Sequence, residues 1–306
     1  MRFPRNGVTI AAFMLAISAA GSARADVVYL SLGDSVAFGY DPSTASTGVP
    51  SAGDQGYVRP FADYLRTVYG GVRPTVLNLG IVGEQTSSFF DPSTASPYGP
   101  PRYWQLNTNY ANETTSQNSL MLSQIAAIHA RGGQVGFASL IFGANDIFAL
   151  TNDPAFTGGT PAQQQALLTQ RINAALGKYV AALTELKTYA PEARVVLPGY
   201  YNPFPAAILP ENHAFYDMVL GIYNPAVQSI AAQFGATYVD TYSLFAGKEL
   251  AMTNIATGDF HPNQAGYNAI AGAMIRAVPE PSSIAMLALA LAATGAAMLA
   301  RRRIAA

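Results

Sequence analysis

Residues 27–40 read VVYLSLGDSVAFGY. The first six are Val, Tyr, Leu and one Ser, too short a run for a helix and too apolar for a half-exposed strand. They read as a strand buried on both faces, residues 27–32. The run breaks at Gly33 into a Gly-Asp-Ser turn. Ser35 then sits where a strand gives way to a helix, a place where backbone N–H groups are free to donate. Taken alone, the tripeptide is only a turn.

Working outward, the same strand signal recurs at residues 75–79 (TVLNL), 135–142 (VGFASLIF), 194–197 (RVVL) and 237–240 (TYVD). Each run is β-branched or aromatic and punctuated by Gly, Pro or Asp. Helical spacing fills residues 57–69, 119–130, 162–189, 214–234 and 264–277, with Pro191 stopping the third helix and Gly235 capping the fourth. Such alternation predicts an α/β fold with a parallel sheet covered on both faces. Ligands in such sheets bind beyond the carboxyl ends of the strands. Two connections are long, residues 41–55 and 87–118, and loops of that length are functional or disordered. Both contain DPSTAS, at 41–46 and 91–96, which reads as a repeated Asp-Pro turn.

Three further blocks fall at strand ends. NLGIVGEQT holds Gly80 and Gly83, which are either ordinary turn glycines or places where backbone approaches a ligand. FGAND presents Asn145 and Asp146, either a helix cap or an uncharged amide donor for a developing oxyanion. GDFHPNQAGY sets Asp259 two positions before His261, close enough for the carboxylate to hold the imidazole while its other nitrogen faces a serine. The other two histidines, His129 and His213, lie in or beside helical patterns and read as structural or solvent-facing.

In this order the four blocks resemble the SGNH (GDSL-type) hydrolase family through Ser35, Gly83, Asn145 and His261. The resemblance spans nearly all of residues 26–278. It implies a three-layer α/β/α sandwich, flavodoxin-like, around a five-stranded parallel sheet. It also implies a nucleophile at Ser35, a general base at His261 and an orienting carboxylate at Asp259. The oxyanion hole would be the backbone N–H of Ser35 and Gly83 with the Asn145 side-chain amide, and neither metal nor organic cofactor is expected. Val36 departs from the leucine of the family's name motif, at an apolar packing position. Gly80 rivals Gly83, although spacing from Asn78 favours Gly83.

The activity so implied is cleavage of carboxylic esters, as a secreted lipase or esterase. A lipid acyl chain would be lined by Phe89, Phe90, Phe142, Phe148 and Phe204. The alternative is O-deacetylation of exopolysaccharide, with Tyr40, Tyr98, Tyr103 and Trp104 stacking on sugar rings. A reading of another class is an inactive surface or matrix-binding module on the same fold.

The ends carry targeting patterns. Arg2 and Arg5, an uncharged run over residues 8–20 and Ala23-Arg24-Ala25 form a secretory signal peptide, residues 1–25, for a signal peptidase. At the other end Val278-Pro279-Glu280-Pro281, 17 uncharged residues at 284–300 and Arg301, Arg302 and Arg303 resemble a PEP-CTERM sorting signal. That resemblance implies a Gram-negative bacterium, an exosortase-type processing enzyme, and delivery to the cell surface or extracellular matrix. The apolar run sits at the lower edge of membrane-spanning length, so residues 279–306 are expected to anchor the chain before processing.

Composition agrees. The 306 residues contain no cysteine, which excludes a disulfide scaffold and a Cys-ligated metal site. Apolar residues make up 50% and charged residues 11%, the opposite of a disordered chain. The formal net charge of −1 hides an asymmetry. Six of the 17 basic residues and only Glu280 of the 18 acids lie in the two ends. Residues 26–278 therefore hold 11 basic and 17 acidic residues, a net of −6 that disfavours nucleic acid as a partner.

Overall fold

A computed structural model describes residues 26–42 and 53–278. The expected signal peptide (1–25), the greater part of the first DPSTAS and the C-terminal segment (279–306) lie outside the described residues. Among those described, no helix is long and apolar enough to cross a membrane.

Five strands form one parallel sheet: β1 Val27–Gly33, β2 Thr75–Asn78, β3 Gln134–Ile141, β4 Arg194–Pro198 and β5 Thr237–Val239. Their spatial order is β2-β1-β3-β4-β5, and each pairing is parallel. The strand boundaries fall within a residue or two of those read from the sequence. The principal helices are α1 Ser35–Phe38, α2 Val58–Val68, α3 Gln117–Ala130, α4 Ala144–Thr151, α5 Pro161–Tyr189, α6 Pro210–Gln233 and α7 Gln264–Ala277. Helices α2 and α7 pack together, while α5 touches α3, α4 and α6. These two groups are the outer layers of the expected α/β/α sandwich. Both faces are therefore covered, which is why seven of the eight β3 residues are buried.

The strand order places the topological switch between β1 and β3, because the chain leaves β1 in one direction and returns past it to β3. Crevices at such points open beyond the strand carboxyl ends, which here are Gly33 and Ile141. Gly33 is the residue that permits the turn. Its φ is +127°, and a Cβ there would sit 1.8 Å from the Ile141 carbonyl oxygen. Asp34 then caps α1, its carboxylate accepting from the Val36 N–H at 2.9 Å.

Helix α4 was not expected as an element. The apolar run of β3 ends at Gly143, whose φ of +120° redirects the chain, and helix begins at once. The second DPSTAS behaves as its Asp-Pro chemistry predicts. Asp91 caps a short 3₁₀ turn, Pro92–Thr94, by accepting from the Ser93 N–H. Thr160 and Gln163 cap α5 reciprocally, and α5 ends at Tyr189, two residues before Pro191.

Candidate active site

Three chain segments far apart in sequence converge at the switch point. Ser35 opens α1 directly after β1 and is 5% exposed. His261 arrives on the loop before α7, its Nε2 2.7 Å from Ser35 Oγ. Asp259 Oδ1 lies 2.8 Å from His261 Nδ1, and the same oxygen accepts the His261 backbone N–H at 2.8 Å. A carboxylate accepts only, so Nδ1 carries a proton and Nε2 of the neutral ring is left as the acceptor facing the hydroxyl. Partial burial works against the Asp259 charge. The hydrogen bonds and charge of His261 outweigh it and hold the carboxyl below its ordinary range.

The imidazole is clamped on both sides. The Tyr40 ring lies edge-on at 4.8 Å between centroids and Phe260 at 4.7 Å. The loop itself is pinned, because the Asn254 N–H donates to the His261 carbonyl at 2.9 Å and Tyr201 Oη donates to that of Phe260 at 3.1 Å.

The other histidines also have carboxylate partners. His129 Nε2 lies 3.0 Å from Glu192 and His213 Nε2 3.0 Å from Asp217. An acidic neighbour in the fold therefore does not by itself single out His261. The serine does.

Asn145 stands in the first turn of α4, and its Nδ2 donates to the Glu84 carbonyl at 2.9 Å. One of its two amide hydrogens is so engaged, and the other has no acceptor among the described residues. Gly83 is the residue before Glu84. Its φ is +84°, and a Cβ would lie 2.0 Å from the Pro101 carbonyl oxygen. The N–H of the rival Gly80 donates to Asn78 Oδ1 at 3.0 Å. The Gly83 N–H has no acceptor among the described residues. Ser35, Asn145 and His261 line one cavity, whereas Gly83 is buried beside it and is not part of its wall. Asp146 turns away from substrate space and holds Thr86, accepting from its N–H at 2.9 Å and its hydroxyl at 2.8 Å.

The cavity is walled mainly by Ile147, Phe148, Tyr216, Leu220, Tyr223 and Phe260. Of the five phenylalanines expected to line it, only Phe148 does. Phe89 and Phe142 are wholly buried and pack on each other in the core. Phe90 packs on the core beneath Lys178, and Phe204 packs on Tyr216. The reason is topological: residues 89 and 142 face α5, whose Tyr179 ring meets Phe142 at 5.0 Å. Of the four aromatics proposed for sugar stacking, Tyr40 abuts His261, while Tyr98 and Tyr103 are exposed by 42% and 40%.

Two buried acids around the site escaped the sequence reading. Asp34 lines the cavity beside Ser35 and accepts from Tyr200 Oη as well as from the Val36 N–H. Burial pushes its carboxyl up to about 6, against the pull of those hydrogen bonds. Its place before the serine, at a helix cap, was the available signal. Glu84 is wholly buried and meets Arg102 at 3.0 Å. Gln117 ties this pair to the turn, donating to Glu84 Oε2 at 3.2 Å and exchanging hydrogen bonds with the Gly33 N–H and carbonyl at 2.6 and 2.9 Å. No local pattern announces a pairing across such separations.

Comparison with solved structures finds the same fold. A lipase, Lip_vut3, from a goat rumen metagenome is 16% identical with a TM-score of 0.54, the match covering 82% of this chain and 97% of that one. The extracellular lipase of Streptomyces rimosus is also 16% identical, with a TM-score of 0.51 over 83% and 100% of the two chains. No curated protein gives a significant match. The PEP-CTERM protein-sorting motif matches residues 277–303, as the terminal pattern implied; it is a mark of export and surface association in Gram-negative bacteria. The GDSL-like lipase/acylhydrolase family matches residues 31–269, more than three quarters of the sequence and all four blocks, and the chain belongs to that family.

Proposed function

We propose that residues 26–278 form an exported serine hydrolase that cleaves carboxylic esters through an acyl-serine intermediate. The observation that carries this is the continuous chain from Asp259 through His261 to Ser35, with contacts of 2.8 and 2.7 Å. Ser35 Oγ attacks the ester carbonyl as Nε2 of His261 takes its proton. The carbonyl oxygen becomes an oxyanion held by the Ser35 and Gly83 backbone N–H groups and the free hydrogen of the Asn145 amide. Each such donor is worth roughly 2.7–4 kcal/mol of barrier. His261 then protonates the departing alkoxide, which leaves as the alcohol. Water deprotonated by the same nitrogen attacks the acyl-serine, and the acid departs. Asp259 keeps the ring in the tautomer that accepts at Nε2 and stabilises the imidazolium.

The test is hydrolysis of p-nitrophenyl acetate and butyrate by residues 26–278. Ser35→Ala and His261→Ala are expected to lose at least a thousandfold in kcat, while His129→Ala and His213→Ala stay within a few-fold of wild type. Equal slow hydrolysis by wild type and Ser35→Ala would return the chain to the reading of an inactive surface module. In the cell the substrate is a small-molecule, glycan or lipid ester outside the inner membrane. A signal peptidase acts near residue 25 and an exosortase-type enzyme near Pro279, the C-terminal segment holding the chain at the membrane until then.

A further inference from the structure

From the cavity beside Ser35 we infer that this enzyme is confined to short acyl groups, acetyl and propionyl, and that Leu220 is the residue that sets the limit. The inference rests on the acyl-serine reading above.

The cavity measures about 50 Å³. An apolar protein cavity of about 150 Å³ takes benzene, which has six carbons. At that density 50 Å³ takes two carbons, or three with the carbonyl carbon at its mouth. The position fits the acyl side of the bond. Ser35, Asn145 and His261 supply reacting groups to its lining, and the apolar side chains of Ile147, Phe148 and Leu220 supply wall to the same space. The alcohol must lie where His261 can protonate it, on the outer side beside Tyr40.

The walls cannot swing aside easily. Tyr200 is bonded to Asp34, Tyr201 to the Phe260 carbonyl at 3.1 Å and Tyr223 to the Phe142 carbonyl at 2.7 Å. Each phenol is thus fixed at its far end. Phe148 stacks on Phe260 at 4.6 Å and leans on Tyr216 at 5.7 Å. A longer chain would have to break these contacts or stay outside.

Leu220, on α6, borders this cavity and also a separate surface groove of about 520 Å³ that includes Asn224, Gln228 and Tyr238. It thus touches a small space on one side and a much larger one on the other. Shortening it to alanine joins the two and lets an acyl chain run through into the groove. In a fitted hydrophobic pocket each methylene is worth roughly 10–200-fold in kcat/KM.

The experiment is kcat/KM for p-nitrophenyl esters from acetate to octanoate, with wild type, Ser35→Ala and Leu220→Ala, each variant checked by thermal melting. Wild type should hydrolyse acetate and propionate best and lose at least tenfold by hexanoate. Leu220→Ala should raise the octanoate-to-acetate ratio at least tenfold. Ser35-dependent hydrolysis that is flat or rising up to octanoate in wild type overturns the size limit and leaves the esterase reading standing. A size limit that Leu220→Ala, folded, does not relax overturns the role of Leu220. No Ser35-dependent hydrolysis of any ester overturns both readings.

Discussion

Asp34 is where a single residue carries an energetic cost the rest of the molecule must offset. Its carboxyl is wholly buried beside the serine, and burial lifts its pKa from an ordinary 3.8 to about 6. A raised carboxyl pKa means that the folded state prefers the protonated form. The associated stabilisation is complete below pH 4 and is lost as pH rises through 6. That difference corresponds to about 3 kcal/mol. Asparagine can keep the geometry, accepting from the Val36 N–H and donating to Tyr200 Oη. Asp34→Asn is therefore expected to gain stability relative to wild type between pH 5 and pH 8, read as a widening difference in Tm. A difference constant with pH would show that Asp34 does not titrate in that window. Histidines give the complementary lesson at this scale. All three histidines have a carboxylate partner in the fold, and what sets His261 apart is a serine 226 positions away in sequence.

At the scale of elements, the loop after β2 does the positioning, and it is held from three sides. Asn145 of α4 takes the Glu84 carbonyl, Asp146 takes Thr86, and the buried Glu84–Arg102 pair ties the loop to the long connection of residues 87–118. That connection, which the sequence offered only as functional or disordered, is a brace. Arg102 also donates to the carbonyls of Glu113 and Thr115 at 3.0 and 2.9 Å. Removing one partner of a buried pair costs roughly 3–5 kcal/mol, because the other is stranded. Arg102→Met should destabilise by that order in urea unfolding and lower kcat as Gly83 loosens. Glu84→Gln added to it should recover part of the stability. A double variant as unstable as the sum of the two singles would mean that the pair does not act as a unit.

For the whole molecule, the described domain ends firmly. Val278 is buried, its N–H donates to the Met274 carbonyl at 3.1 Å, and its carbonyl accepts from Tyr64 at 3.1 Å. A chain truncated after Val278 thus keeps every contact described and loses only the basic, apolar tail. It is expected in the soluble fraction with full esterase activity, while unprocessed full-length protein sediments with membranes. Sedimentation of the truncated chain would refute anchoring by residues 279–306. The five strands, the long helices and the four blocks at strand ends were legible in the sequence, because strand and helix periodicities and turn chemistry are local properties. So was the acidity of the domain between two basic ends. The cavity wall beside Ser35 was not legible. Phenylalanines counted along the chain all look alike, and whether one faces the core or the cavity depends on which helix the sheet turns toward it. The same holds for the Asp34–Tyr200 and Glu84–Arg102 contacts, which form only when distant segments are folded together. Local pattern determined the fold and singled out the candidate reacting groups. Tertiary packing alone decided the size of the space beside them, because volume is what remains after distant side chains have met.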